Sequence, residues 1–289
     1  MQFIQAIIDG ILLGGVYGVI ATGLSLVFGV LGIVNFAQAE FLMVGMYAAF
    51  FAWRLLGLDP MLGAFFSLLV GFGLGYLAQR YLVSRVMKAP ASSQIFLTVG
   101  LMIVIENAAL LVFGSDYQSV QTPYQTASIT LGPLFVSAPY ALAFGMSLLV
   151  SAALWWFLTH TWMGRSIRAT AQNSMAATLM GVATKHTYAV AFGIGTGLTA
   201  FGGGVILPYL TVSPTIGQSF AVLMFTVVVL GGLGSVVGAL VGGIVVGVIQ
   251  SVSGLLFPIQ LQNLVLFVVF IAVLAFRPQG LISSGFKKR

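Results

Sequence analysis

Apolar residues fill long unbroken stretches of the chain instead of alternating with polar ones. Runs at about 4–28, 38–56, 61–84, 93–113, 140–159, 187–210, 220–230, 235–250 and 255–276 are separated by short polar or glycine-containing breaks. A run of about 20 apolar residues is the length of helix that crosses a hydrocarbon core, so the pattern predicts an all-α, polytopic transmembrane helical bundle of eight or nine spans. The count turns on Gly231-Gly232-Leu233-Gly234, which either separates two short helices or marks a re-entrant pair; two short helices are the expectation. The longest breaks are about 25 residues, below the roughly 40 at which small domains still need staples, so residues 1–289 read as a single transmembrane domain.

Composition strengthens this. The chain is 60% hydrophobic and 6% charged, with a mean hydropathy of +1.11, whereas a soluble domain carries about a quarter charged residues; a soluble globular protein is excluded. The 36 glycines suit a bundle in lipid, where helices associate by close packing and not by a hydrophobic drive. Gly234, Gly238 and Gly242 recur at four-residue spacing beside Gly243 and Gly247, predicting a small-residue face that receives a second helix.

Eleven basic residues against five acids carry topology, and a nucleic-acid partner is not expected. Arg80, Arg85 and Lys88, then Arg165, Arg168 and Lys185, then Arg277, Lys287, Lys288 and Arg289 all fall on one side if there are nine spans, leaving Arg54 with Asp59 on the other. The positive-inside rule makes the basic side cytoplasmic. The N-terminus and the loop from Gly114 to Pro139 then lie outside, and the C-terminus is cytoplasmic. The first apolar run lacks a basic leader and, at about 25 residues, is too long for a signal-peptide core, so it is expected to stay as a helix. Trp53, Trp155, Trp156 and Trp162 stand near span ends, where indoles anchor at the interface.

Candidate chemistry is sparse. No cysteine is present, so thiolate ligands and nucleophiles are absent. None of the lysines lies in a phosphate-binding loop, and His160 and His186 stand apart without a second metal-binding motif residue. No metal site, bound cofactor or catalytic residue is expected, and transport remains as the function class. It requires coupling ions or an external motor.

Two polar clusters interrupt the apolar runs. Asn35, Phe36, Gln38 and Glu40 open the second span; Asn35 and Gln38 have capping-box spacing and Glu40 suits the first turn of a helix. That stretch is either a cap near the membrane surface or a helix broken within the membrane, where unwound backbone is tolerated only against protein or a water-filled cavity. Glu106 and Asn107 stand in the middle of the fourth run. An intramembrane acid faces the bundle interior by default, and Glu106 reads as a proton relay, a partner for a substrate amine or a packing group.

Residues 164–181 are rich in helix formers and bounded by glycines, predicting one short cytoplasmic helix. On it Arg165, Arg168 and Gln172 share a face that Met175, Ala176 and Leu179 continue, while Ser166, Thr170, Ala171, Ser174 and Ala177 occupy much of the other side. Such a helix lies on an anionic leaflet or inserts into a groove of a soluble partner.

The order Gly-x-x-Ile-Arg-Ala-x-Ala-Gln-Asn over Gly164 to Asn173, followed by Met180-Gly181-Val182, resembles the cytoplasmic loop of membrane permeases of branched-chain amino acid ABC importers. Gly23-Leu24-Ser25-Leu26-Val27-Phe28-Gly29 leading to Ile33 through Glu40, Gly231-Gly232-Leu233-Gly234, and Arg277-Pro278-Gln279-Gly280-Leu281 are similar to further segments of that family. The sequence departs from the family at Gln38-Ala39-Glu40, where His-Gly-Glu is usual, and at Ser174-Met175, where an acid is frequent. The resemblance implies a permease subunit in the bacterial cytoplasmic membrane, with a second permease (a paralogue), two cytoplasmic ATPases that hold ATP and Mg, an extracytoplasmic solute-binding protein, and membrane lipid as partners. It implies that Arg165, Arg168, Gln172, Asn173, Met175, Ala176 and Leu179 couple to the ATPases, and it favours the broken-helix reading of Asn35 to Glu40. The expected solute is a branched-chain amino acid; urea or short amides, and a proton-coupled carrier acting through Glu106, are the competing readings.

Overall fold

The computed structural model describes residues 1–131, 134–277 and 280–282. Its helices are α1 (Gln2–Leu31), α2 (Gln38–Leu56), α3 (Pro60–Ala78), α4 (Ser84–Val86), α5 (Ala91–Phe113), α6 (Ala138–His160), α7 (Trp162–Gln172), α8 (Ser174–Leu179), α9 (Thr184–Ile206), α10 (Ile216–Gly231), α11 (Val236–Leu256) and α12 (Ile259–Phe276). A π-helical turn, Gln79–Val83, joins α3 to α4 without a break in the rod. Among the described residues seven helices are long and apolar enough to cross a membrane, and α10 and the Leu264–Phe276 part of α12 add shorter apolar helices. The break at Gly232-Leu233-Gly234 separates α10 from α11, with positive φ at both glycines (111° and 83°); this is the two-helix reading of that stretch.

Glycine sets the core packing. A Cβ on Gly10 would lie 2.6 Å from the Val248 Cα, and one on Gly14 2.6 Å from the Ile244 Cα, so α1 and α11 run antiparallel with backbones in contact. Gly238 and Gly242 turn instead to Gly231 and Val227 of α10, while Gly243 and Gly247 face Gly18, Gly14 and Gly10. The predicted face is therefore two faces serving two neighbours. Gly234 belongs to neither: it lies outside the helix and touches Gly29. On the other flank α3 and α9 cross antiparallel through Gly71, Gly197 and Gly204, and Ser67 donates to the Gly45 carbonyl at 2.6 Å to hold α2 against α3.

The ends of the bundle differ. Arg80, Arg85, Lys88 and Lys185 line one polar groove, and α7, the α10–α11 turn and Gly280 close the same end. The opposite end carries Asp59, which caps α3 through the Met61 amide at 2.8 Å and accepts from Tyr124 at 2.8 Å. Burial and this bond to Asp59 both push the Tyr124 hydroxyl above its ordinary pKa. That end also holds features the apolar pattern does not signal: the β-hairpin of β1 (Ser128–Leu131) and β2 (Leu134–Ser137), and a bridge from Gln118 to Val212. Lys287, Lys288, Arg289 and the Pro278-Gln279 pair lie outside the described residues.

Candidate functional site

α2 does not start at the end of the bundle. After Gly32 closes α1 in a left-handed conformation, with its amide on the Phe28 carbonyl at 2.8 Å, residues 33–37 turn back into the protein. Gln38, the first residue of α2, donates to the Gly195 carbonyl at 3.1 Å and to Thr199 Oγ1 at 2.7 Å. Gly195 lies about three turns into α9, or roughly 16 Å along it. Gly75 of α3 packs at the same level, on Thr196, and the α3 rod continues as far beyond it as Val86. The start of α2 thus lies deep between longer neighbours, and the surface-cap reading gives way to a helix broken inside the bundle.

Asn35 does not cap this helix. Its Nδ2 donates to Gln38 Oε1 at 2.8 Å, and the N-cap position is Ala37, without a side-chain bond. The expected capping box is a side-chain relay instead, Asn35 to Gln38 to Thr199, and Thr199 donates on to the Ile20 carbonyl at 3.2 Å. Asn35 and Glu40 are 0% and 1% exposed, yet Asn35 Oδ1 and Glu40 Oε2 have no hydrogen-bond partner among the described residues. Thr22 and Ser25 of α1 add two more buried hydroxyls without partners. Orphan acceptors at this density are uncommon and call for an explanation, because each costs about 1–3 kcal/mol when buried unpaired.

The carboxylate of Glu40 rests on the first turn of α10: a Cβ on Gly217 would lie 2.6 Å from both of its oxygens. Negative charge is favoured at a helix start. One residue further, Gln218 donates to Glu106 Oε1 at 2.8 Å, so α10 brings the two intramembrane acids into one neighbourhood. Phe36 packs on Phe225, 5.3 Å between centroids. Asn107 is not part of this grouping; it is exposed and donates to the Ile103 carbonyl of its own helix at 2.8 Å. Thr196, Thr199, Gly217 and Gln218 join this site without any local motif that marks them in the sequence. Thr196 and Thr199 do stand one turn apart in a glycine-rich run, a visible if weak signal.

The 164–181 stretch is two helices, not one. Asn173 adopts extended backbone (φ −154°, ψ 101°) between α7 and α8, and its Oδ1 accepts from the Ala176 amide at 3.0 Å to start α8. The shared face of arginines and methionine therefore does not exist as a continuous strip. α7 buries Ser166, Ile167 and Thr170, and its arginines turn back to the end of α6: Arg165 Nη1 reaches the His160 carbonyl and Arg168 Nη2 the Thr159 carbonyl, each at 3.4 Å. α8 behaves differently. Ala177 is its one buried residue, while Met175 and Leu179 are 76% and 80% exposed with Gln172, Asn173 and Ala176 beside them in solvent. Of these Met175, together with Ser174 and Thr178, lines the groove of Arg80, Arg85, Lys88 and Lys185, where His186 Nδ1 and Tyr76 Oη pair at 3.2 Å.

The profile of the family described as branched-chain amino acid transport system / permease component matches residues 6–274. The chain belongs to this family. It is 31% identical to the high-affinity branched-chain amino acid transport system permease protein BraD of Pseudomonas aeruginosa, across 97% of this chain and 96% of that one. It is 28% identical to the corresponding LivH proteins of Salmonella typhimurium and Escherichia coli K12, across 98% of this chain and 96% of each relative. No solved structure matches it significantly. The permease is thus a multi-pass membrane protein, in agreement with the resemblance drawn from its motifs.

Proposed function

We propose that the permease is the translocation subunit of an ATP-driven importer for branched-chain amino acids, working in the cytoplasmic membrane with a second permease chain, two ATPases that carry ATP and Mg, and an extracytoplasmic solute-binding protein. The full-length match to branched-chain amino acid permeases carries this reading. The second permease is a paralogue, and the basic end of the bundle faces the cytoplasm. There α8 offers Met175 and Leu179 as apolar knobs beside a basic groove, a surface suited to a soluble partner with an apolar pocket and acidic rim. Motion of that partner reaches the core through α9, which follows α8 and holds Gln38. Asn35, Gln38, Glu40 and Glu106 border the path, with unpaired Asn35 Oδ1 and Glu40 Oε2 as acceptors for a zwitterion's ammonium group.

The test is uptake into proteoliposomes that contain the complete complex, with ATP inside and a proton ionophore present or absent. Leucine uptake that requires ATP and ignores the ionophore is the expected result, and unlabelled isoleucine and valine should compete where urea and acetamide do not. ATP-independent uptake abolished by the ionophore and by Glu106→Gln would reject the motor-driven mechanism in favour of a proton-coupled one.

A further inference from the structure

At the basic end of the bundle, α1, α6, α7 and the start of α11 enclose a cavity of about 260 Å³. Leu26, Val30, Leu158, Ile167, Ala171 and Val236 give it an apolar wall, and Arg168 supplies the charge. Its mouth is flanked by Trp155 of α6 and Val237 of α11, 56% and 52% exposed. An exposed indole at this end of a span is the residue type that anchors at a membrane interface. Among the described residues the Arg168 guanidinium reaches only the Thr159 carbonyl, at a long 3.4 Å, and its Nε is buried with no partner. Arg168 is half-buried, and its buried Nε beside an apolar slot leaves a donor that an acceptor in the slot would satisfy. At the rim Ser235 caps the Gly238 amide at 3.0 Å, while those of Val236 and Val237 belong to the orphan donors of a helix start.

We propose that this slot is a binding site for a glycerophospholipid of the leaflet on the basic side: an acyl chain enters between Trp155 and Val237, and the headgroup phosphodiester is held by Arg168. The slot's greasy wall excludes a free ion, since only the occupant's charged end finds a partner. Phosphate also matches the planar donor fork of arginine, which grips it in a bidentate manner. Basic pockets between membrane helices on that side are a known setting for anionic headgroups. Arg168 is thereby assigned to lipid and not to a soluble partner, and lipid occupancy would brace the α6–α7 corner on which α8 stands.

The full chain is purified in mild detergent and titrated with phosphatidylglycerol, with diacylglycerol of the same chains, or with inorganic phosphate, and bound lipid is counted by native mass spectrometry. One phosphatidylglycerol per chain should be retained, at least tenfold more tightly than diacylglycerol and without competition from millimolar phosphate. Arg168→Gln should abolish the tenfold preference while Arg165→Gln, which removes an equal charge from the exposed side of α7, keeps it. Ala171→Phe, filling the slot, should reduce retention of both lipids. If Arg168→Gln does not fold, a photoactivatable phosphatidylglycerol on the unaltered chain decides, with crosslinks expected at 155–171 and 234–237. Equal retention of the two lipids, displacement by free phosphate, or crosslinks elsewhere would overturn the assignment.

Discussion

Single residues at the start of α2 bear on both stability and transport. Gln38 joins Asn35 to α9, so Gln38→Leu strands the Asn35 amide in a site without water and strips Thr199 of a donor. Leaving buried polar groups unpaired costs about 1–3 kcal/mol, and the variant should unfold several degrees lower in a detergent thermal-shift measurement. Asn35→Ala should be milder, because it removes the orphan Oδ1 together with the bond to Gln38. Glu106→Gln is milder still: a glutamine oxygen can accept the same bond from Gln218. ATP-driven uptake should therefore fall in the order Glu106→Gln, Asn35→Ala, Gln38→Leu, from least to most affected. An unaltered melting temperature in Gln38→Leu would contradict the relay.

Elements show how far the sequence could be read. The apolar runs located the helices because lipid demands long apolar rods, and the glycine break located the α10–α11 turn for the same reason. Contacts between distant positions were not legible: Gln38 meets Thr199 across 161 residues, and no local pattern records that. Gly10, Gly14 and Gly18 of α1 meet α11, a pairing that local sequence does not record, since which neighbour a glycine approaches depends on the whole bundle. Gly14→Leu should force α1 from α11, and overpacking of about 1–3 kcal/mol or more should appear as lost monodisperse protein in size-exclusion chromatography. Gly73, with open space around its Cβ position, should accept the same change. The Asn173 break was hidden because its neighbours are good helix formers, yet it frees α8 to present Met175 and Leu179. Replacing both by Asp places carboxylates where the proposed partner's apolar pocket closes, which should uncouple ATP hydrolysis from uptake by at least tenfold while leaving the melting temperature unchanged. Normal co-purification of the ATPases with normal uptake in the double variant would exclude α8 as the coupling element.

For the whole molecule the decisive question is which end faces the cytoplasm. Among the described residues the seven long and two shorter apolar helices alternate in direction and place Arg80, Arg85, Lys88, Arg165, Arg168, Lys185 and Arg277 at one end and Arg54 at the other, so the asymmetry is large. Moving segments with several Lys and Arg through the membrane is disfavoured, and the proposal that this end is cytoplasmic rests on that rule. The absence of native cysteine allows a direct check with single introduced thiols at two exposed positions: Ser119, in the segment that bridges to Val212, and Ser174, at the start of α8. In intact cells a membrane-impermeant maleimide should label Ser119→Cys and spare Ser174→Cys, which should react only after permeabilisation. Both substitutions are conservative and lie in solvent, so transport should persist and certify that the labelled protein is native. The opposite pattern would put α8 and its basic groove outside the cell, away from any ATPase, and would remove the coupling role along with the orientation.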